Sequence, residues 1–128
     1  AIDWALAMRN SPVWDGGVSR ALENLVFLHL KRRYARVCYY LTRATHQEVD
    51  FLAMDASGKP VLAVQVCQTL AAPETWQREV LPLAATAKYF GIKDVLLVTL
   101  NEEREIASSG QTIRVVPAWK WLLAGEVR

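Results

Sequence analysis

The stretch THQEVDFLAMDASGKPVLAVQVCQ, Thr45 to Gln68, decides the fold. Two apolar runs, Glu48 to Met54 and Val61 to Cys67, flank Asp55-Ala56-Ser57-Gly58-Lys59, whose residues are those of a tight turn. Together they read as a β-hairpin. Each strand carries one polar residue in an apolar setting, Asp50 in the first and Gln65 in the second. With the turn centred between Ser57 and Gly58, Met54 faces Val61, Leu52 faces Ala63, and Asp50 faces Gln65. Opposed side chains lie about 5 Å apart on one face of a sheet. Both oxygens could then serve one divalent cation, and a slip of one residue would separate them. Taken singly, Asp50 reads as a strand acid paired with a nearby arginine, and Gln65 as a buried amide satisfied by backbone.

Upstream, Ser19 is placed to cap a helix over Arg20 to Arg33, in which Leu22, Val26, Phe27 and Leu30 recur at helical spacing and basic residues close the last turn. Val37 to Leu41 is a short strand. Downstream, Pro73 to Phe90 reads as a second helix stopped by Gly91, and Pro82 within it predicts a bend or a local break. Asp94 to Leu100 is apolar enough for a strand buried on both faces. A polar stretch follows, then a strand over Thr112 to Val116, and Pro117 opens a short Trp-rich helix. A strand, helix and strand between Val61 and Leu100 imply a right-handed parallel crossover. The fold class is therefore α/β, a mixed central sheet with flanking helices.

At 128 residues the chain is one domain with a single sizeable core. A 52% hydrophobic and 22% charged composition is that of a globular protein, and a formal charge of +2 does not by itself point to nucleic acid. No run approaches the ~20 apolar residues of a membrane span. Cys38 and Cys67 both sit in apolar runs, as buried free thiols of a cytoplasmic protein do, with a single disulfide the alternative. The opening AIDW, without a starting methionine or a signal peptide's pattern, reads as the tail of a strand cut from something larger.

The helix supplies a third acid. Glu23 shares the i, i+3, i+4, i+7 stripe of Val26, Phe27 and Leu30, and needs a partner if that stripe faces the core. It reads equally as a first-turn acid favoured by the helix dipole. Two acids and an opposed amide are the oxygen donors a hard cation such as Mg²⁺ takes, and such an ion can activate water for phosphoryl chemistry.

The segments ALENLVFLHLKRR, YYL, EVDF, VQVC, TWQREVLPL, VLLVTL and IRVVPAWKWLL occur in this order between Asp15 and Leu123. They resemble the C-terminal domain of a widespread family of prokaryotic AAA-type ATPases, a domain of unknown function similar to the PD-(D/E)XK nuclease superfamily. The resemblance implies a restriction-endonuclease-like αβββαβ core. It also implies that residues 1–128 are one nuclease-like domain from the end of a longer ATPase, with residues 1–14 closing the preceding segment. ATP would bind only in the ATPase portion, which would also be this domain's partner. By the same resemblance Glu23 matches the helix acid, Asp50 the metal-binding aspartate and Gln65 the (D/E) position, where glutamine is an accepted variant. These three would hold Mg²⁺, weakly.

The catalytic lysine of that motif is here Cys67. Loss of a group that orients water and offsets developing charge costs a few kcal/mol, roughly, of transition-state stabilisation, and a neutral thiol supplies neither function. Arg78 in WQRE is the candidate basic group to compensate, but it reads better as a helix-surface residue balanced by Glu74 or Glu79. Between Asn24 and Gln47 there is no acid, but there are Lys31, Arg32, Arg33, Arg36 and Arg43, interleaved with Tyr34, Tyr39 and Tyr40. That pattern suits phosphate contact with base stacking, or else a solvated helix end with its tyrosines in the core. His29, His46, Trp119 and Trp121 read as structural. The function expected is a nuclease-fold accessory domain that binds nucleic acid, DNA being the candidate, around a degenerate metal site. The alternatives are an active Mg²⁺-dependent DNA nuclease and a protein-interaction or regulatory module of the ATPase.

Overall fold

The computed structural model describes residues 17–42 and 47–127. Arg43, His46 and residues 1–14 lie outside them. Helix α1 (Gly17–Arg33) buries Leu22, Val26, Phe27, His29 and Leu30, and closes on Lys31, Arg32 and Arg33, where the helix dipole favours cations. The helix already runs at Gly17, so Ser19 lies inside it and is not its cap. The Ser19 hydroxyl instead accepts a hydrogen bond from Gln68 Nε2 at 3.2 Å.

Strands β1 (Arg36–Leu41), β2 (Glu48–Met54) and β3 (Pro60–Val66) form an antiparallel meander. The β2–β3 turn is shaped by Asp55, whose carboxylate accepts from the Ser57 and Lys59 amides, while Gly58 takes the left-handed conformation (φ +86°). Leu52 pairs with Ala63, as the turn placement predicts. Met54 pairs with Pro60 rather than Val61, because a one-residue irregularity next to the turn absorbs Val61.

A helical turn α2 (Pro73–Thr75) runs into a π-helical stretch, Trp76–Val80, and then α3 (Leu81–Phe90), which Gly91 ends at φ +69°. Pro82 accounts for the irregularity. It lacks the N–H that would bond the Arg78 carbonyl, and the Leu81 amide reaches five residues back to the Trp76 carbonyl. The predicted helix over Pro73 to Phe90 is thus present, with its break in the turns preceding the proline.

Strand β4 (Asp94–Thr99) runs parallel to β3, and β6 (Gln111–Pro117) parallel to β4. The polar stretch between them contains a strand the pattern did not predict, β5 (Arg104–Ser108), paired antiparallel with β6 across a Ser109-Gly110 turn. Of its five residues only Ile106 is buried, so no alternating apolar signal announces it. Helix α4 (Ala118–Val127) follows β6 directly. The six-stranded sheet has the order β1-β2-β3-β4-β6-β5. One face packs on α3 through Val49, Leu52, Ala63, Leu83, Ala87 and Leu97. The other packs on α1 and α4 through Val26, Phe27, Leu30, Phe51, Val64 and Ala118. The chain is a mixed α/β fold, and its first elements run in the order αβββαβ. Among the described residues no helix is long and apolar enough to cross a membrane.

Candidate functional site

The site lies where β2 and β3 part. Their ladder ends at Phe51 and Val64, beyond which β3 pairs with β4 and β2 with β1. Cys38 pairs with Leu52 but Tyr40 with Val49, so Asp50 and Phe51 both stand opposite Tyr39. This bulge re-aims the Asp50 side chain at the parting strands.

Side chains replace the ladder at this point. The Asp50 amide donates to Gln65 Oε1 at 2.7 Å, and Asp50 Oδ2 accepts from the Val66 amide at 2.8 Å. Gln65 Nε2 donates to the Glu48 carbonyl and to the Glu79 carbonyl, both at 3.1 Å. The second of these acceptors lies in the π-helical stretch ahead of Pro82. Gln65 is 1% exposed, so its amide is a buried bracket between β2, β3 and the helical layer. The expected juxtaposition of Asp50 with Gln65 is therefore present, but the two do not offer a shared pair of oxygens. The single-residue alternative for Gln65, an amide satisfied by backbone, describes it better.

Four acids surround this bracket. Burial pushes the Asp50 carboxyl well above its ordinary range, and Glu23, Glu79 and Glu48 push it further. Burial, then Glu79, raises Glu23, with Arg20 one turn earlier opposing the shift. Burial raises Glu79 also, against the Arg78 guanidinium, whose Nε lies 3.2 Å from its carboxylate. The first-turn alternative for Glu23 fails, because the helix begins nearly two turns upstream and its side chain is half-buried. Glu48 and Glu79 carry no distinguishing pattern in the sequence. The only trace of them is the acid at the head of EVDF and the one in WQRE.

These residues fit a divalent ion poorly. Gln65 Oε1 is bonded to the Asp50 amide and Asp50 Oδ2 to the Val66 amide, so the opposed pair is committed to backbone. Cys67, at the lysine position, lies just past β3, with its amide donating to the Val98 carbonyl at 3.0 Å. Its thiol is buried and pushed up to about 12 by burial and by Glu79, Glu102 and Asp50. It is neutral at physiological pH. Both cysteines are free thiols. Arg78 is turned to solvent and paired with Glu79, as its surface-residue alternative holds.

The basic residues are elsewhere. Lys31, Arg32, Arg33 and Arg36 are all exposed, at the end of α1 and the start of edge strand β1. Glu23 and Arg32 are separated by about 13 Å along the helix. Of the interleaved tyrosines, Tyr39 is exposed while Tyr34 and Tyr40 pack against the cores, Tyr40 edge-on to Phe90. His29 is buried edge-on to Trp121 at 4.7 Å. Trp119 is a correction, being 59% exposed. Two positions along a helix turn a side chain by about 200°, so the inward Trp121 sends Trp119 outward.

Against known proteins, the chain is 34% identical over 113 residues to an uncharacterized protein of Methanocaldococcus jannaschii. The match covers 81% of this chain and 24% of that protein. No family model matches the chain, and no solved structure matches it.

Proposed function

We propose that this chain is a nuclease-like accessory domain of a larger ATPase that contacts nucleic acid and does not cut it. The observation that carries this reading is the commitment of Gln65. A buried amide with both ends bonded to backbone is a structural bracket, and a neutral thiol two residues on supplies no charge to a phosphorane. The αβββαβ order, with an acid on the helix and an acid on the second strand, supports descent from a cleaving ancestor. The match to 24% of a longer archaeal protein supports a part that works within a larger chain. Contact with nucleic acid is supported by the exposed Lys31, Arg32, Arg33 and Arg36 with Tyr39 beside them, a cationic surface with one stacking ring.

One observation favours a second reading, a Mg²⁺-dependent nuclease. Glu23 and Glu79 are close enough to Asp50 to raise its proton affinity, as Glu79 does that of Glu23, and a cation relieves the same repulsion a proton does. A single experiment separates the two: DNA is incubated with the protein and Mg²⁺ or Mn²⁺ while binding and cleavage are read together. Binding without cleavage supports the accessory domain. Cleavage that disappears in Asp50→Ala establishes the nuclease.

A further inference from the structure

Among the described residues three aromatic side chains are exposed, Tyr39 at 57%, Tyr89 at 75% and Trp119 at 59%. Two of them flank one edge of the sheet. Strand β1 is the outermost strand on its side. Cys38 and Tyr40 pack toward α3, so strand alternation turns Tyr39 to the α1 side. Tyr40 lies edge-on to Phe90 at 5.2 Å, and Phe90 edge-on to Tyr89 at 4.9 Å. These ring contacts hold Tyr89 against the same edge on the α3 side. The β1 edge therefore carries an exposed ring on each flank.

Charge follows the same division. Each ring belongs to a run without acids, Asn24 to Gln47 for Tyr39 and Val80 to Lys93 for Tyr89. The first run exposes Lys31, Arg32, Arg33 and Arg36, and the second Lys88 and Lys93. Trp119 has a different setting, since its neighbour Lys120 is paired with Glu103. Exposed rings bordered by cations suit a ligand with anionic links and flat faces. An acidic peptide would meet the cations but give the rings nothing to stack on. Bases inside a duplex are covered on both faces by their neighbours, whereas unpaired bases can splay out onto aromatic side chains. We infer that the nucleic acid this domain contacts is single-stranded and crosses the β1 edge, with one base on Tyr39 and another on Tyr89. This rests on the nucleic-acid reading above and narrows it to unpaired strands. The cations at the ends of α1 and α3 hold the backbone on either side of the edge.

Fluorescence anisotropy with the full chain at one salt concentration tests this, using oligothymidine, oligouridine and a DNA duplex of equal length. The native chain binds at least one of the single strands about tenfold or more tighter than the duplex. Tyr89→Ala weakens that binding by about five- to 100-fold and leaves duplex binding unchanged. Tyr89→Phe, which keeps the ring, binds as the native chain does. Trp119→Ala leaves single-strand binding unchanged. Circular dichroism confirms that each variant folds, and if Tyr89→Ala does not, Tyr89→Leu decides in its place. Duplex bound as tightly as either strand overturns the inference and leaves nucleic-acid contact standing. So does undiminished single-strand binding in the ring-deleted variant, or an equal loss in Trp119→Ala. A native chain that binds none of the three removes the nucleic-acid reading and this inference together.

Discussion

Asp50 and Gln65 each complete the backbone hydrogen bonding of the other's strand. The amide of Asp50 donates to the Gln65 side chain at 2.7 Å, while the Asp50 carboxylate accepts from the amide of Val66, the next residue along β3. Strands β2 and β3 have stopped pairing there, and each polar side chain stands in for a missing ladder bond. Buried backbone groups need such partners. That requirement explains why two polar residues sit in otherwise apolar strands.

Gln65→Leu should therefore be costly. It strips partners from the Asp50 amide and the Glu48 and Glu79 carbonyls, which destabilises the fold by about 3 kcal/mol or more. Gln65→Glu, which places a carboxyl of similar size at that position, should be no better at neutral pH. It turns an acceptor toward two carbonyls and adds a carboxylate to four others. Urea unfolding of the three proteins checks this, and a Gln65→Glu chain as stable as the native one would contradict the bracket.

Asp50→Asn should stabilise the protein at neutral pH. The folded-state pKa of Asp50 lies above its unfolded value, so the unfolded chain releases that proton first as pH rises. The stability held by protonated Asp50 is complete below the unfolded value and is lost as pH climbs through the folded one. Asparagine keeps an acceptor for the Val66 amide and removes that loss. Thermal midpoints should thus coincide near the bottom of the carboxylate range and diverge in favour of the variant above it. Part of the slope remains, since Glu23 and Glu79 are raised too. A variant less stable than the native chain at neutral pH would mean that Asp50 is ionised against a cation.

Cys67 should resist thiol reagents. A buried thiol pushed up to about 12 holds almost no thiolate at neutral pH, so labelling should proceed only through opening of the fold. Time-resolved labelling of Cys38→Ser, which leaves Cys67 as the single thiol, reads this directly. Rapid reaction in native buffer would contradict it.

Neutralising Arg32, Arg33 and Arg36 together should weaken DNA binding across sequences. The slope of affinity against salt should fall by about one for each phosphate that the variant no longer neutralises. Tyr39→Ala should reduce single-strand binding by about 1–3 kcal/mol without changing that slope. Fluorescence anisotropy over a salt series measures both, and an unchanged slope in the triple variant would remove the cationic surface from the account.

Much of this structure is legible in the sequence for identifiable reasons. Asp55 and Gly58 fix the turn and with it the pairing of Leu52 with Ala63, which brings Asp50 to Gln65. Pro82 announces the irregular helix because a missing N–H has a local consequence. Strand β5 is hidden because it is an edge strand with one buried residue. The role of Gln65 is hidden because a glutamine that binds a cation and one that binds backbone look alike until the carbonyls of Glu48 and Glu79 are placed. Those carbonyls come from a bulged strand and a π-helical stretch, and both depend on contacts distant in sequence.

The central claim, a nuclease-like domain that holds nucleic acid without cutting it, is tested most directly on bound substrate. Plasmid and branched DNA are saturated with the native chain, as judged by gel shift, and incubated with Mn²⁺. The expected result is DNA that is shifted and intact. Metal-dependent cutting by the native chain, abolished in Asp50→Ala, would contradict the claim.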